Sequence, residues 1–411
     1  MTLYDWILLN VVSGAKLMSN LIDKVLYLIY MQDTLGFIKR KLGFHKKERL
    51  VGLFLEKFWA SNASEDEIIR IARHHFQSNE SDFYNACHKL VEQLVIKSSV
   101  DDINIEVENF DYQDLSFLIK IANSFGRFDV GYLYYSNYCH ILEKSALKSK
   151  ANRSDKVKYL LHKQLFGSDG FHYHDQEVRI RTPFYLMSIQ KKMFSSFSQK
   201  DLSQLDKIDS DFQARITNKT IALLAPGITQ YSDELIQELA KFDEIVVLNY
   251  SYEQYQDLPL PIRISYYSIE GYSNLFDKID YYSNLDFCCL KIKNVDKVGH
   301  RQIHKGSIKW FLGSPNMAQN AIHDLLCFNP KKIKVFGMNF FLAQVTHHEK
   351  YISGPSLLRG LAHHNPITNY LYINRIFDQN VINCDYEATK LLNQGVKAYV
   401  SQMTNKYSLL R

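Results

Sequence analysis

KTIALLAPGITQYSDELIQELAKFDEIVVLN, running from Lys219 to Asn249, decides how the second half of this chain folds. An apolar run, Lys219 to Leu224, breaks at Ala225-Pro226-Gly227 and re-enters as an amphipathic stretch, Ser232 to Lys241. A second apolar run, Glu244 to Leu248, then ends at Asn249. Short apolar runs bounded by a Pro-Gly turn predict strands, and the stretch between them predicts a helix. A strand that turns into a helix presents backbone N–H groups and partial positive charge to an anion, so a nucleotide phosphate is expected at this turn. Pro-Gly turns also join strands to helices with no ligand, which leaves a purely structural role open.

The alternation continues downstream. Strands are expected at Ile262 to Tyr267, Leu285 to Ile292, Ser307 to Leu312, Lys332 to Phe336 and Val396 to Val400. Helices are expected near Tyr272 to Tyr282, Pro315 to Phe328, Pro366 to Phe377 and Tyr386 to Asn393, with a long loop ahead of Pro366. This pattern predicts an α/β fold, a Rossmann-like, mostly parallel sheet covered by helices on both faces. Ligands of such sheets lie beyond the carboxyl ends of the strands, here Ala225 to Thr229, Asn249 to Tyr252, Gly313 to Asn316 and Gly337 to Phe340.

The first half reads differently. Helices are expected at Glu48 to Ala60, Ser64 to Phe76, Ser81 to Lys97, Tyr112 to Ser124, Gly131 to Leu147 and Ser154 to Phe166. Ser64 with Glu67 forms a capping box. Gly167 to Ile180 reads as a connection, followed by a helix from Pro183 to Phe197. The expected organisation is therefore amphipathic helices over 1–45, an all-α domain over 46–200 and the Rossmann-like domain over 201–411. Lys16, Asp23 and Lys24 interrupt the apolar run Leu3 to Tyr30 before it reaches the roughly 20 residues of a bilayer span. That run reads as helices packed on the next domain or as an interfacial helix, with Lys39 to Lys47 then facing anionic head groups.

A net charge of +5 over 411 residues, with basic residues scattered, does not argue for nucleic acid. Six cysteines without a CxxC pair fit a reducing cytoplasm, with peripheral contact at the inner membrane as the one exception to a free existence there. Cys87-His88 and Cys139-His140 have no partners at metal-ligand spacing and read as helix packing. His300, Arg301, His304 and Lys305 read as a solvated basic face or as contacts to an anionic acceptor.

The strand ends LLAPGIT, VVLNYSY, GSPNMAQNAIHDLLCFNPKKIKVFGMNFF and HHNPITNYLYINRIF resemble those of bacterial sialyltransferases that use CMP-activated sugars, and of the related flagellin and capsule glycosyltransferases. The resemblance covers Lys219 to Val400 and lies in order and spacing more than in identity. It implies a sialyltransferase-like GT-A variant of the Rossmann-like fold. It also implies transfer of a sugar such as a nonulosonic acid from a CMP-linked donor to a surface glycan acceptor of capsule, lipopolysaccharide or flagellin. In that family a Gly-rich turn covers the nucleotide, matched by Ala225, Pro226, Gly227 and Thr229. An Asn that contacts the donor is matched by Asn249, with Tyr250 beside it, and the polar entry to a nucleotide-lining helix by Ser314 and Asn316. The family's Gly-hydrophobic-Asp-Phe-Tyr is matched by Gly337-Met338-Asn339-Phe340-Phe341. Pro226 replaces an asparagine, and Phe341 replaces the tyrosine that steadies the leaving phosphate. Tyr351, His347 or His348 in the following loop would have to supply that contact.

Sugar transfer needs a base near neutrality for the acceptor hydroxyl, and imidazole suits it. The family's catalytic histidine stands ahead of the penultimate helix, where this chain has His363 and His364 before the Asn365-Pro366 cap. His364, next to the cap, is the first choice, and a helix start beside it would favour the neutral ring. Packing of both rings is the alternative. Asp209-Ser210-Asp211 mimics a metal-binding Asp-x-Asp, but it precedes the first strand. No metal or other cofactor is expected, since a CMP sugar carries a single phosphate that cationic or hydroxyl groups can balance. Other donors, a UDP sugar or a phosphoribosyl diphosphate, remain alternatives, as does a non-catalytic nucleotide-binding or interaction module.

Overall fold

The computed structural model describes residues 34–60, 64–76, 82–96, 99–103, 105–107, 110–148, 153–167, 207–228, 230–267, 284–290, 300–303, 312–313, 315–342 and 355–408. The amino-terminal run Leu3 to Tyr30, the helices expected at Pro183 to Phe197 and Tyr272 to Tyr282, and the strand expected at Ser307 to Leu312 except Leu312 lie outside these residues. So does the connection Gly167 to Ile180 beyond Gly167.

The first half contributes helices α1 (Thr34–Ala60), α2 (Glu65–Phe76), α3 (Asp82–Ile96), α4 (Tyr112–Ser124), α5 (Phe128–Leu147) and α6 (Arg153–Phe166). Local signals set their ends. Asp111 accepts the N–H groups of Gln113 and Asp114 at 2.8 and 2.9 Å, capping α4. Helix α4 then buries Leu115, Leu118, Ile121 and Ala122 at helical spacing. Helix α1 begins at Thr34, earlier than the Glu48 expected, so the basic run Lys39 to Lys47 lies inside it. Lys47 is not turned to a head group. Its ammonium pairs with Asp114 of α4 and stands 4.7 Å from the Phe83 ring centroid. Among the described residues no helix is long and apolar enough to cross a membrane.

After α7 (Lys207–Ile216) the described residues build a seven-stranded sheet from β1 (Thr220–Leu224), β2 (Glu244–Leu248), β3 (Ile264–Tyr267), β4 (Phe287–Leu290), β5 (His300–Gln302), β6 (Lys332–Phe336) and β7 (Asn383–Cys384). The strand order is β5-β4-β3-β2-β1-β6-β7, and every pairing is parallel. Strands buried on both faces read as nearly unbroken apolar runs, which is why TIALL and EIVVL were legible, whereas KIKVF alternates Lys332 and Lys334 with buried Ile333 and Val335. Side chains alternate between the faces. Ile221, Leu223, Val246, Leu248, Ile333 and Val335 join one core with the helices of the first half. Ala222, Leu224, Ile245, Val247 and Phe336 face a smaller core closed by Leu235, Ile236 and Phe242.

The remaining helices are α8 (Asp233–Leu239), α9 (Tyr252–Tyr255), α10 (Met317–Cys327), α11 (Pro355–His364), α12 (Pro366–Asp378), α13 (Tyr386–Asn393) and α14 (Gly395–Tyr407). Two of them correct the sequence reading. Val396 to Val400, expected as a strand, belongs to α14, whose buried Tyr399, Val400, Met403 and Tyr407 recur with helical period. The last stretch of the expected long loop is helix α11. The short edge strands β5 and β7 carry little apolar sequence and were not expected.

Candidate active site

The sheet switches direction between β1 and β6, because the chain runs outward from β1 to β5 and then returns to the far side of β1. A crevice for a ligand opens at such a point. Here the two loops that border it interlock. A Cβ on Gly227 would collide with the Gly337 carbonyl and stand 2.6 Å from Asn339 Nδ2. A Cβ on Gly337, at φ 69°, would stand 2.5 Å from Ile228 Cγ1 and 3.1 Å from the Ala225 oxygen. The glycine expected to admit a ligand therefore admits the neighbouring loop.

Ala225 donates its N–H to Phe336 at 2.8 Å, and Pro226, which follows it, has no N–H to offer. The Gly337 N–H is taken by Asp385 Oδ2 at 2.6 Å, and Asp385 Oδ1 caps α13 through Ala388 at 2.9 Å. Asn339 Oδ1 accepts the Phe341 N–H at 3.0 Å. Its Nδ2 is buried without a partner among the described residues, an unmet donor at the switch point. Met338, expected to line a nucleotide, is buried in the core.

The start of α8 does not offer the phosphate cradle that was expected. Five residues separate it from Gly227, the Ser232 hydroxyl accepts Leu235 N–H at 3.3 Å, and Asp233 and Glu234 fill its first turn. Two carboxylates there repel a phosphate. Thr229 lies outside the described residues. Asn249 ends β2 at φ 53° and donates its N–H to Tyr266 at 2.7 Å. Tyr250 is committed to packing rather than to a ligand. It is buried, its ring stacks on Tyr255 at 5.5 Å and its carbonyl accepts the Tyr267 hydroxyl at 3.1 Å.

A second set of predicted residues does converge. Gly313, at φ 70°, lies so close to the end of α11 that a Cβ on it would stand 2.8 Å from Asn365 Cβ and 2.9 Å from the His364 oxygen. Asn316, the N-cap of α10, donates its N–H to Asn369 Oδ1 at 2.9 Å across a separation of 53 residues. Asn369 Nδ2 donates to the carbonyls of His364 and Asn365. Asn365 caps α12 through Thr368 and Pro366 follows at its first position, as the sequence indicated. Ser314, His347, His348 and Tyr351 lie outside the described residues.

His363 is exposed, His364 is half-buried, and their rings stand 5.0 Å apart at 77°. Their setting differs from the expected one. They form the last turn of α11, at a carbonyl end that favours positive charge, rather than standing free ahead of a helix start. The two sets meet through the Phe340 ring, 5.3 Å from that of Tyr370 on α12. Phe340 and Phe341 hold φ of 49° and 68°, a costly conformation for bulky residues. Lys406 and Tyr407 of α14 fix this turn by donating to the Phe341 carbonyl at 2.8 and 2.9 Å.

The basic cluster read at His300 to Lys305 as a solvated face is corrected at Arg301, which is 1% exposed. Its guanidinium pairs with Asp209 at 2.6 Å and with Asp324 at 2.5 and 3.1 Å, and lies 4.0 Å from the Phe212 ring centroid. Burial works against that charge, and the Asp324 carboxylate, together with Cys289 and Tyr266, outweighs it and holds the guanidinium charged. Asp209 thus serves an arginine rather than a metal. Among the described residues no three His, Cys, Asp or Glu are grouped so as to hold a metal ion. Asp385, Asn369 and Lys406 were missed by sequence reading, since nothing local marks a residue whose partners lie far along the chain.

Among the described residues, fold and site together define an α/β protein with an all-parallel sheet and helices packed on both its faces. Comparison with protein-family models, curated proteins and solved structures finds no match to this chain.

Proposed function

We propose that this chain is a glycosyltransferase that moves a sugar, a nonulosonic acid or one like it, from a CMP-linked donor to a glycan hydroxyl, with His364 or His363 as general base. The observation that carries the reading is the junction of Gly313 and Asn316 with His364, Asn365 and Asn369. These are the donor-lining and base-bearing segments of the resembled family, and here they are in contact.

The imidazole takes the acceptor's hydroxyl proton as the acceptor oxygen bonds to the anomeric carbon. The bond from that carbon to the CMP phosphate oxygen breaks, and its electron pair leaves with CMP. An exposed or half-buried histidine suits an acceptor that must enter from solvent. Engagement of Asp209 by Arg301 argues against the metal-dependent alternative with a diphosphate donor.

A non-catalytic nucleotide-binding or interaction module is the second reading. Its interaction-module form is favoured by the occupied Gly337 N–H and the acidic start of α8, which leave the switch point short of phosphate donors. Calorimetric titration with CMP tests nucleotide binding. Saturable binding weakened by Asn249→Ala is expected, with turnover insensitive to EDTA. A flat titration contradicts the reading, and EDTA-sensitive turnover of a UDP sugar would replace it.

A further inference from the structure

We propose that Asn369 is a positioning residue that ties Asn316, at the start of α10, to the histidine-bearing end of α11, an inference that rests on the reading above. Asn369 lies in the second turn of α12 and is 2% exposed. Its own N–H bonds to the Asn365 carbonyl at 3.2 Å, so the backbone from which the amide projects is fixed by the helix.

The amide divides its two ends between two segments. Oδ1 accepts the Asn316 N–H at 2.9 Å, while Nδ2 donates to the carbonyl of His364 and, at 3.1 Å, to that of Asn365. A short planar side chain with an acceptor at one end and two donors at the other fits this demand. Aspartate has no donors, and leucine has the volume alone.

Three features make the tie matter for the ring of His364 and not only for stability. Asn365 is held at φ 48° and ψ 90°, a sparsely populated conformation that sets the direction in which the chain leaves His364. Gly313 abuts the His364 carbonyl, so a shift of that carbonyl is felt at Gly313. Gln319 of α10 donates to the Asn369 carbonyl at 3.4 Å, which stitches α10 to α12 at the same point. At so buried a position a lost partner is not replaced by solvent. A misplacement of about 1 Å can cost a hundredfold in rate.

The test uses the full chain, CMP as the binding probe and CMP-N-acetylneuraminic acid as the donor probe. Asn369→Asp keeps the acceptor for Asn316 and loses the hold on His364. CMP affinity is expected to stay within about twofold while kcat falls roughly 10- to 100-fold. Asn369→Leu loses both ties and should weaken CMP binding as well. In that variant, hydrogen exchange at the Asn316 amide should accelerate about tenfold or more.

Parent-like kcat in both variants overturns the inference, as does a fall in kcat matched by an equal fall in CMP affinity in Asn369→Asp. Unchanged exchange at Asn316 overturns the physical link whatever the activity. Failure of the underlying reading looks different: a parent that neither binds CMP nor turns over the donor removes both, whereas parent-rate turnover by both His363→Ala and His364→Ala removes the base alone.

Discussion

Two buried basic side chains are handled in opposite ways in the two halves of this molecule. In the helical half, His162 lies among Tyr135, Tyr138 and Phe166, with ring centroids 5.6, 5.4 and 4.6 Å away. Burial pushes its pKa down to about 3, so the ring is carried neutral. In the sheet half, Arg301 keeps its charge between Asp209 and Asp324. Where the core offers aromatic rings the charge is given up, and where it offers carboxylates the charge is kept. Both groups belong to the fold. His363 and His364 stand apart from them because solvent reaches them.

The largest expected effect lies on the paired side. Arg301→Met leaves Asp324 buried without its guanidinium and should lower the unfolding free energy by about 3–5 kcal/mol, read from urea denaturation. Arg301→Met/Asp324→Leu removes both charges and should recover much of that loss. A single-variant loss as small as that of an exposed pair such as Arg70–Glu67 would erase the contrast.

The neutral side responds to acid. An unfolded histidine takes up a proton below about pH 6.5, whereas folded His162 resists protonation down to about pH 3. Its contribution to stability is present above pH 6.5 and is lost as pH falls, at up to about 1.4 kcal/mol per pH unit, or about 2 kcal/mol by pH 5. His162→Phe should flatten the stability–pH curve in that window. An unchanged slope would mean that the ring charges within the fold.

A smaller effect concerns the interlocked loops. Gly227→Val should cost about 1–3 kcal/mol of stability with or without CMP, because its Cβ meets the Gly337 carbonyl. A variant as stable as the parent but weaker for CMP would return Gly227 to a ligand-approach role.

Much of the sheet was legible because β1 and β2 are apolar runs bounded by turn residues, where two-faced burial writes itself into composition, and because β6 alternates lysines with buried Ile333 and Val335. β5 was not, since its three residues are His300, Arg301 and Gln302, and the charge on Arg301 reads as surface unless Asp209 and Asp324 are known to meet it. Val396 to Val400 was misread because a window that short cannot separate a strand from a helix. Met403 and Tyr407 further on settle the period. Within the candidate site, Asn365 and Pro366 announced a cap that the structure contains. The meeting of Gly313 with His364 had no local signal, because it depends on where α10 and α12 pack. Gly227 and Gly337 were visible as glycines, but not the reason for them, which is each other.

The proposed chemistry stands or falls on the histidine pair. Transfer from CMP-N-acetylneuraminic acid by the parent, His363→Ala and His364→Ala should be compared at neutral pH, alongside CMP titration of each. His364→Ala, or failing it His363→Ala, is expected to lower kcat by about 10² to 10⁴ with CMP affinity unchanged. Parent-rate transfer by both single variants would contradict a base at this junction, and a parent that neither binds CMP nor releases it from the donor would contradict the enzyme itself.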